Sequence, residues 1–211
     1  MAPATPKGLA RRQLLAEAAG AILTEYGHEA VRHRAVAQEA GLPLASTTYY
    51  FNSLTDLLRA AVQYTCEVDA TAMEQRCRAL PECARSARET ADAIAGVLVG
   101  DWPMTRLVTR CELFVLAVRH PEFAEIVTQR HDQVSSVVAQ VLAKSKRHHS
   151  PEQVHKLVAF EDGALLEWIS LGDQAPADPA GCVADAIVEV TETGSSLRAN
   201  KLIATKSQKQ R

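Results

Sequence analysis

Residues 31–51 read VRHRAVAQEAGLPLASTTYYF, and the fold turns on how that stretch divides. A short helical run from Arg34 to Ala40 is broken at Gly41-Leu42-Pro43, and a second run covers Ala45 to Tyr50. Two short helices about so tight a break have the form of a helix-turn-helix. Gly41 supplies the positive φ that such a turn asks for, since it has no Cβ to clash. Val36, Ala37 and Ala40 are placed to face a preceding helix, with Leu42 plugging the turn. The second helix carries no charge and an abundance of hydroxyls. Short side chains let a backbone lie close to base edges, while Ser, Thr and Tyr hydroxyls reach phosphates or bases. The other reading is a capped amphipathic connector with two packing tyrosines. Composition alone leaves both open.

Outward from this stretch the chain reads as helix throughout. The preceding helix spans about residues 8–26 and closes at Gly27, a C-terminal breaker. Its Leu9, Leu15, Ala18, Ala19, Ile22 and Leu23 approximate a 3.6-residue stripe. A longer helix follows from near Ser53 to Leu80, where Pro81 stops it. Further helices are expected over about 84–100, 103–119, 121–146, 151–171 and 179–197. Pro103, Pro121, Pro151 and Pro179 stand near their starts, where a missing N–H costs little. The clearest loop begins at Gly172 and runs through Pro176 to Pro179. The expected fold class is therefore all-α, with about nine helices in a three-plus-six division: an N-terminal three-helix helix-turn-helix domain and a C-terminal helical domain. The boundaries are 1–53, 54–197 and a basic tail over 198–211.

Composition agrees with this class. The 211 residues are 47% hydrophobic and 23% charged, a globular balance that argues against long disorder. With 10 Gly and 9 Pro, an all-β chain of many tight turns is improbable. No apolar run reaches the roughly 18 residues a membrane span needs. The first eight residues lack the apolar core of a signal peptide, so a cytoplasmic location is expected. Five cysteines without a C-x-x-C pair suit reduced thiols. The net charge of -2 hides an asymmetry. Residues 1–60 hold six Lys/Arg against five Asp/Glu, residues 61–197 hold twelve against twenty, and residues 198–211 hold five against none. A near-neutral to basic head can approach phosphate despite an acidic body, because screening confines repulsion to about 8 Å. The charge permits DNA binding without establishing it.

Residues 9–62 resemble the DNA-binding domain of the tetracycline-repressor-like (TetR/AcrR) family of bacterial transcription regulators. The resemblance is carried by the helix ending at Gly27, by Arg34-x-Val36-Ala37-x-x-Ala40-Gly41-Leu42, and by Thr48-Tyr49-Tyr50-Phe51-x-Ser53-x-x-Asp56-Leu57-Leu58. It covers about a quarter of the chain; the rest resembles the family in length and helical character. It implies that a recognition helix over 44–50 enters the major groove of a double-stranded DNA operator. Leu44, Ala45, Ser46 and Tyr49 are then the base-facing positions. Arg34, Thr47, Thr48 and Tyr50 are the phosphate-contact candidates, with Lys7, Arg11 and Arg12 beside them, and Phe51 is the buried anchor. Three positions depart from the common pattern: Arg32 stands at the N-cap of the second helix, Thr48 where many members have tyrosine, and Leu54 where many have lysine. Fewer neutralised phosphates imply a shallower salt dependence.

For the body, the resemblance implies a homodimer through the last two long helices, here about 151–171 and 179–197, and a pocket for a small-molecule effector. Val154, Leu157, Val158, Leu165 and Trp168 make an apolar stripe on the first helix. Ala180, Val183, Ala184, Ile187 and Val190 make another on the second. Such stripes suit a four-helix interface across a two-fold axis, or ordinary core. Glu112 and Glu161 fall on otherwise apolar faces, where a carboxylate must find a partner or be neutralised. Either one is a paired core group or a polar anchor in a cavity. Trp102, Met104, Cys111, Phe114, Phe160 and Trp168 are the candidate cavity walls.

An enzyme reading rests on Glu25-x-x-His28 and Glu152-x-x-His155, the spacing used by carboxylate-bridged metal bundles. The first pair straddles Gly27 at a helix end and the second follows Pro151 directly, whereas such sites need inward-facing mid-helix ligands. No phosphate-binding loop or nucleophile elbow is present. A helical adaptor without DNA affinity would leave the hydroxyl-rich helix unexplained. The expectation is thus a homodimeric, ligand-responsive transcriptional regulator, a repressor in preference to an activator. It binds an inverted repeat and is released by an effector, with no cofactor, metal, enzymatic activity or membrane partner.

Overall fold

A computed structural model describes residues 5–188, and among them every regular element is helical. The chain divides into two compact units. The first joins the described residues up to Ala72 with Trp102–Gln133, and the second joins Met73–Asp101 with those from Val134 onward.

In the first unit, α1 spans Pro6–Tyr26. Thr5 caps it by accepting the Gly8 N–H at 3.2 Å, and Pro6 occupies the first turn, where its missing N–H costs nothing. The helix therefore starts two residues ahead of the expected Gly8. Gly27 ends it as expected, at φ 78°, with its N–H returning to the Leu23 carbonyl at 3.0 Å. Leu15, Ala18, Ala19, Ile22 and Leu23 are buried, but Leu9 is 56% exposed, so the apolar stripe begins a turn and a half later than the pattern suggests. One turn of 3₁₀ helix, His28–Ala30, leads into α2, His33–Glu39, and the break at Gly41 leads into α3, Leu44–Tyr50. Gly41 has φ 63°, the left-handed conformation that the turn requires. Arg32 holds the N-cap of α2 without a side-chain capping bond.

The long α4, Leu54–Ala79, begins where the Ser53 hydroxyl accepts the Asp56 N–H at 3.0 Å. Two seven-residue helices cannot bury much alone. The core around Leu15, Leu23, Val36, Phe51, Leu57 and Val62 is completed by Leu113 and Leu116 of α6, Met104–Arg119. Phe123, in the 3₁₀ turn Pro121–Phe123, and Ile126, in the first turn of α7, Ala124–Lys144, close it. This unit is larger than the 1–53 stretch that the sequence sets apart. The Arg59 guanidinium donates to the Glu122 carbonyl, tying the start of α4 to that turn.

In the second unit, α5 spans Ala87–Leu98 and opens with a capping box between Ser86 and Glu89. It starts later than the expected residue 84 because the preceding chain pairs elsewhere. The Cys83 N–H donates to the Lys144 carbonyl at 3.0 Å and the Arg85 N–H to the Ser145 carbonyl at 3.2 Å. A second box, Ser150 with Gln153, opens α8, Pro151–Ser170. Residues 179–188, here α9, are helical; the rest of the expected 179–197 helix, including Val190, and the 198–211 tail lie outside the described residues.

Of the two readings of the C-terminal stripes, ordinary core is the one that holds. Val154, Leu157, Val158, Leu165 and Trp168, with Val183, Ala184 and Ile187, are buried within the single chain, so they form its own core. Trp168 also donates its indole N–H to the Pro176 carbonyl at 2.8 Å, which ties down the loop before α9. The outward face of α8 carries Phe160 at 41% and Leu166 at 57% exposure, with exposed Gly163 between them. All five cysteines are free thiols. Among the described residues no helix is long and apolar enough to cross a membrane.

Candidate nucleic-acid interface

α3 presents one face and hides the other. Leu44 is 50% and Tyr49 79% exposed, and Ala45 and Thr48 are exposed beside them. Ser46 and Tyr50 are half-buried. Phe51, 2% exposed, pins the end of the helix into the core, as the sequence implies. Its ring also lies under the Arg12 guanidinium, 5.2 Å from the ring centroid. That cation–π contact fixes α1 against the end of α3 and gives Arg12 a role beyond a solvated helix face. Tyr50 meets Tyr49 edge to face with centroids 4.9 Å apart, and its hydroxyl lies close to Gly8 at the start of α1. Lys7, Arg11, Arg12 and Arg34 are exposed.

Two hydroxyls behave differently from expectation. Thr47 is fully buried, and its hydroxyl donates to the Leu44 carbonyl at 2.8 Å. A phosphate contact through this side chain is therefore withdrawn: it braces the helix from inside. Thr48 is exposed, but its hydroxyl donates to the Ala45 carbonyl at 3.2 Å, so it must rotate before it donates to phosphate. What remains is a short, uncharged, convex surface of Leu44, Ala45, Ser46, Thr48 and Tyr49 with cationic side chains on α1 and α2. Its side chains are small or uncharged, the kind that close approach to base edges requires.

The eight expected pocket residues fall in both units. Trp102, Met104, Cys111, Glu112 and Phe114 belong to the first, and Phe160, Glu161 and Trp168 to the second. Met104 and Phe160 are exposed, Cys111 and Glu112 half-buried, and Glu161 fully buried. Arg106 lies over Trp102 and Arg130 over Phe114, at 5.3 and 5.9 Å from the ring centroids. Among the described residues no group of three or more His, Cys, Asp or Glu side chains is placed to hold a metal ion.

The first unit also holds an open cleft of about 490 Å³ that none of those eight residues lines. Glu17, Gly20, Ala21, Thr24 and Glu25 of α1 form one wall, and Tyr64 and Val68 of α4, Arg106 of α6 and Glu39 of α2 form the others. The α1 residues recur at three- and four-residue steps, so they share a face. That polar face was the signal available in the sequence. Burial first, then the Glu17 carboxylate, push the Tyr64 phenol above its ordinary value, while Arg106 pulls it down. Arg106 itself pairs with Asp69 at 2.6 Å. Burial raises the Asp69 carboxyl, and Arg106, followed by Arg130 and Arg110, opposes that rise.

Comparison with known proteins places these units in context. Residues 85–193 match the family model described as tetracyclin repressor-like, C-terminal domain. The multidrug binding protein EbrR in complex with ethidium is 30% identical, with a TM-score of 0.62 over 83% of this chain and 96% of that one. The same protein in complex with proflavin aligns at 28% identity and a TM-score of 0.60, over 83% and 97% of the two chains. A TetR transcription regulator from Haloarcula marismortui ATCC 43049 shares the fold at 16% identity and a TM-score of 0.64, over 88% and 98%. ATP phosphoribosyltransferases of Chlorobium luteolum (strain DSM 273 / BCRC 81028 / 2530) and Prosthecochloris aestuarii (strain DSM 271 / SK 413) are each 37% identical over 106 residues, which is 50% of this chain. The alignment spans 32% of the length of those relatives.

Proposed function

The chain belongs to the tetracyclin repressor-like family of transcriptional regulators, and from that premise we propose that it is a homodimeric repressor released from an inverted-repeat operator by a small-molecule effector. It acts by binding and not by turnover, in the cytoplasm, with 1–53 as the DNA-reading segment and 54–197 as the effector and dimer segment. Leu44, Ala45, Ser46 and Tyr49 face the bases, and Arg34, Thr48 and Tyr50 with Lys7 and Arg11 approach the phosphates. Two recognition helices about 34 Å apart, or somewhat more, engage successive major grooves on one side of the duplex. EbrR is a multidrug binding protein complexed with ethidium and proflavin, which supports reading this chain as a sensor of small organic molecules.

The observation that carries this reading is the exposure of Tyr49 and Leu44 on a seven-residue, uncharged helix whose next residue, Phe51, is locked in the core. Large apolar side chains held outward on a rigid mount need a partner surface, and the flanking cations suit a polyanion. Selection from random duplexes by the purified protein is expected to recover an inverted repeat. Against that duplex, replacing Ser46 and Tyr49 together by Ala lowers affinity ~100-fold, at about 1–3 kcal/mol per lost contact. Tyr49 is exposed and Ser46 half-buried outside the hydrophobic core, so the melting temperature changes little. Thr47→Val is the control: it loses a buried hydrogen bond, costs about 1 kcal/mol of stability, and leaves DNA affinity intact. Affinity kept by the double variant, or lost only with Thr47, would overturn the assignment of the face.

A further inference from the structure

We propose that the cleft between α1, α4 and α6 binds an organic cation with a flat apolar body, seated on the Tyr64 ring and facing the Glu17, Glu25 and Glu39 carboxylates. The floor is built for a ring. Gly20 lies against Tyr64 so closely that a Cβ there would stand 2.5 Å from the ring's Cδ1 and 3.3 Å from the Thr65 hydroxyl. Only a glycine lets the ring lie on the α1 backbone. Ala21, exposed on the same face, leaves room above it. Val68, one turn along α4, adds an apolar edge. About 490 Å³ is within the range of small-molecule sites.

The charge decides the class of ligand. Glu17, Glu25 and Glu39 are all exposed at the rim. The cation in the wall, Arg106, pairs with the buried Asp69 at 2.6 Å and lies over the Trp102 ring. Its charge is shared between that pair and the cleft, where it opposes Glu17 at the Tyr64 phenol, so one guanidinium faces three rim carboxylates and the opening stays net negative. Burial first and then the Glu17 carboxylate raise the Tyr64 phenol, so Glu17 acts at the ring on which the ligand would sit. An anion meets repulsion here, and a neutral molecule gains only the ring and Val68. A cation with a flat body gains both the ring and the field. This site rests on the proposed function only where the bound cation is taken as the effector; the binding itself requires no DNA.

The test uses the full chain without DNA and ethidium as a flat fluorescent cation, followed by fluorescence anisotropy. Saturable binding is expected. Glu17→Gln, Glu25→Gln and Glu39→Gln combined should weaken it about tenfold, at the two- to threefold per contact common for solvent-exposed charge pairs. Ala21→Trp, which fills the cleft without touching a carboxylate, should weaken it as much. Binding by either variant within twofold of the parent chain, or no saturable binding by the parent, overturns the proposal. DNA affinity of the same proteins, measured without ethidium, separates the two readings. If the parent fails to bind its selected duplex, the regulator reading fails while the cation site stands or falls on its own titration.

Discussion

Asp69 is 2% exposed on its side chain, and the charge that faces it most closely is Arg106 at 2.6 Å. Nothing in the spacing of α4 announces this, since a lone aspartate in an apolar run reads the same whether it is paired or solvated. The carboxyl is already raised by burial, and Arg106 is the first of the three guanidinium groups opposing that rise. Arg106→Leu removes the nearest and pushes the carboxyl further up. A folded-state value above the unfolded one, near 3.8, means the folded chain binds more protons across that window. Stability then falls as pH rises through the window and recovers as pH falls. Arg106→Leu should therefore cost about 3 kcal/mol at neutral pH, the lower end for breaking a buried pair since Arg110 and Arg130 act on the same carboxyl. The loss should shrink steadily as the pH is lowered toward 4. Urea melts at pH 7 and pH 5 decide it: an equal loss at both would show that the stranded carboxylate is not what the variant suffers from. Glu161 was easier to see, because it interrupts a regular stripe, and it is fully buried. Thr47 was not, because a hydroxyl among hydroxyls gives no sign of which one folds inward.

At the scale of elements, the helix-turn-helix was legible because its punctuation is chemical. Gly41 must take positive φ, Pro43 cannot extend α2, and Gly27 ends α1 in the same way. Boundaries failed where side chains or distant strands of chain decide them. Thr5 with Pro6 starts α1 early, and hydrogen bonds to the end of α7 hold residues 83 and 85 out of α5. The α1–α4 crossing shows a subtler case. Gly20 sits mid-helix, where alanine would ordinarily be better by about 1 kcal/mol. Here the added Cβ would meet Tyr64 Cδ1 at 2.5 Å, an atom near the root of a rigid ring, so the clash outweighs the propensity. Gly20→Ala is expected to destabilise by about 1–2 kcal/mol net, in the range of overpacked contacts. Thermal melts read it directly. A stabilised variant would mean the Tyr64 ring swings aside freely, and the ring floor of the cleft would go with it.

At the scale of the whole molecule, the sequence left the two C-terminal stripes open between core and interface, and burial within the single chain decides for core. An apolar stripe on a helix says that the face is covered but not by what, and Val154, Leu157, Leu165 and Trp168 are covered by their own chain. The dimer proposal consequently moves to the opposite face of α8, where Phe160, Gly163 and Leu166 lie outward. Two apolar side chains flanking a glycine allow a partner helix to approach closely, and a two-fold axis would present each patch to its copy. Phe160→Glu with Leu166→Glu should convert the dimer to a monomer in sedimentation equilibrium. Because both positions are exposed in the single chain, each protomer keeps its fold by circular dichroism. DNA affinity should fall further than the lost interface alone suggests. A tethered pair binds its second half-site at an effective concentration that a free protomer lacks, and the loss is on the order of 10²–10⁴-fold. A variant that stays dimeric places the interface elsewhere. A parent chain that is itself monomeric removes the paired recognition helices, and with them the inverted repeat.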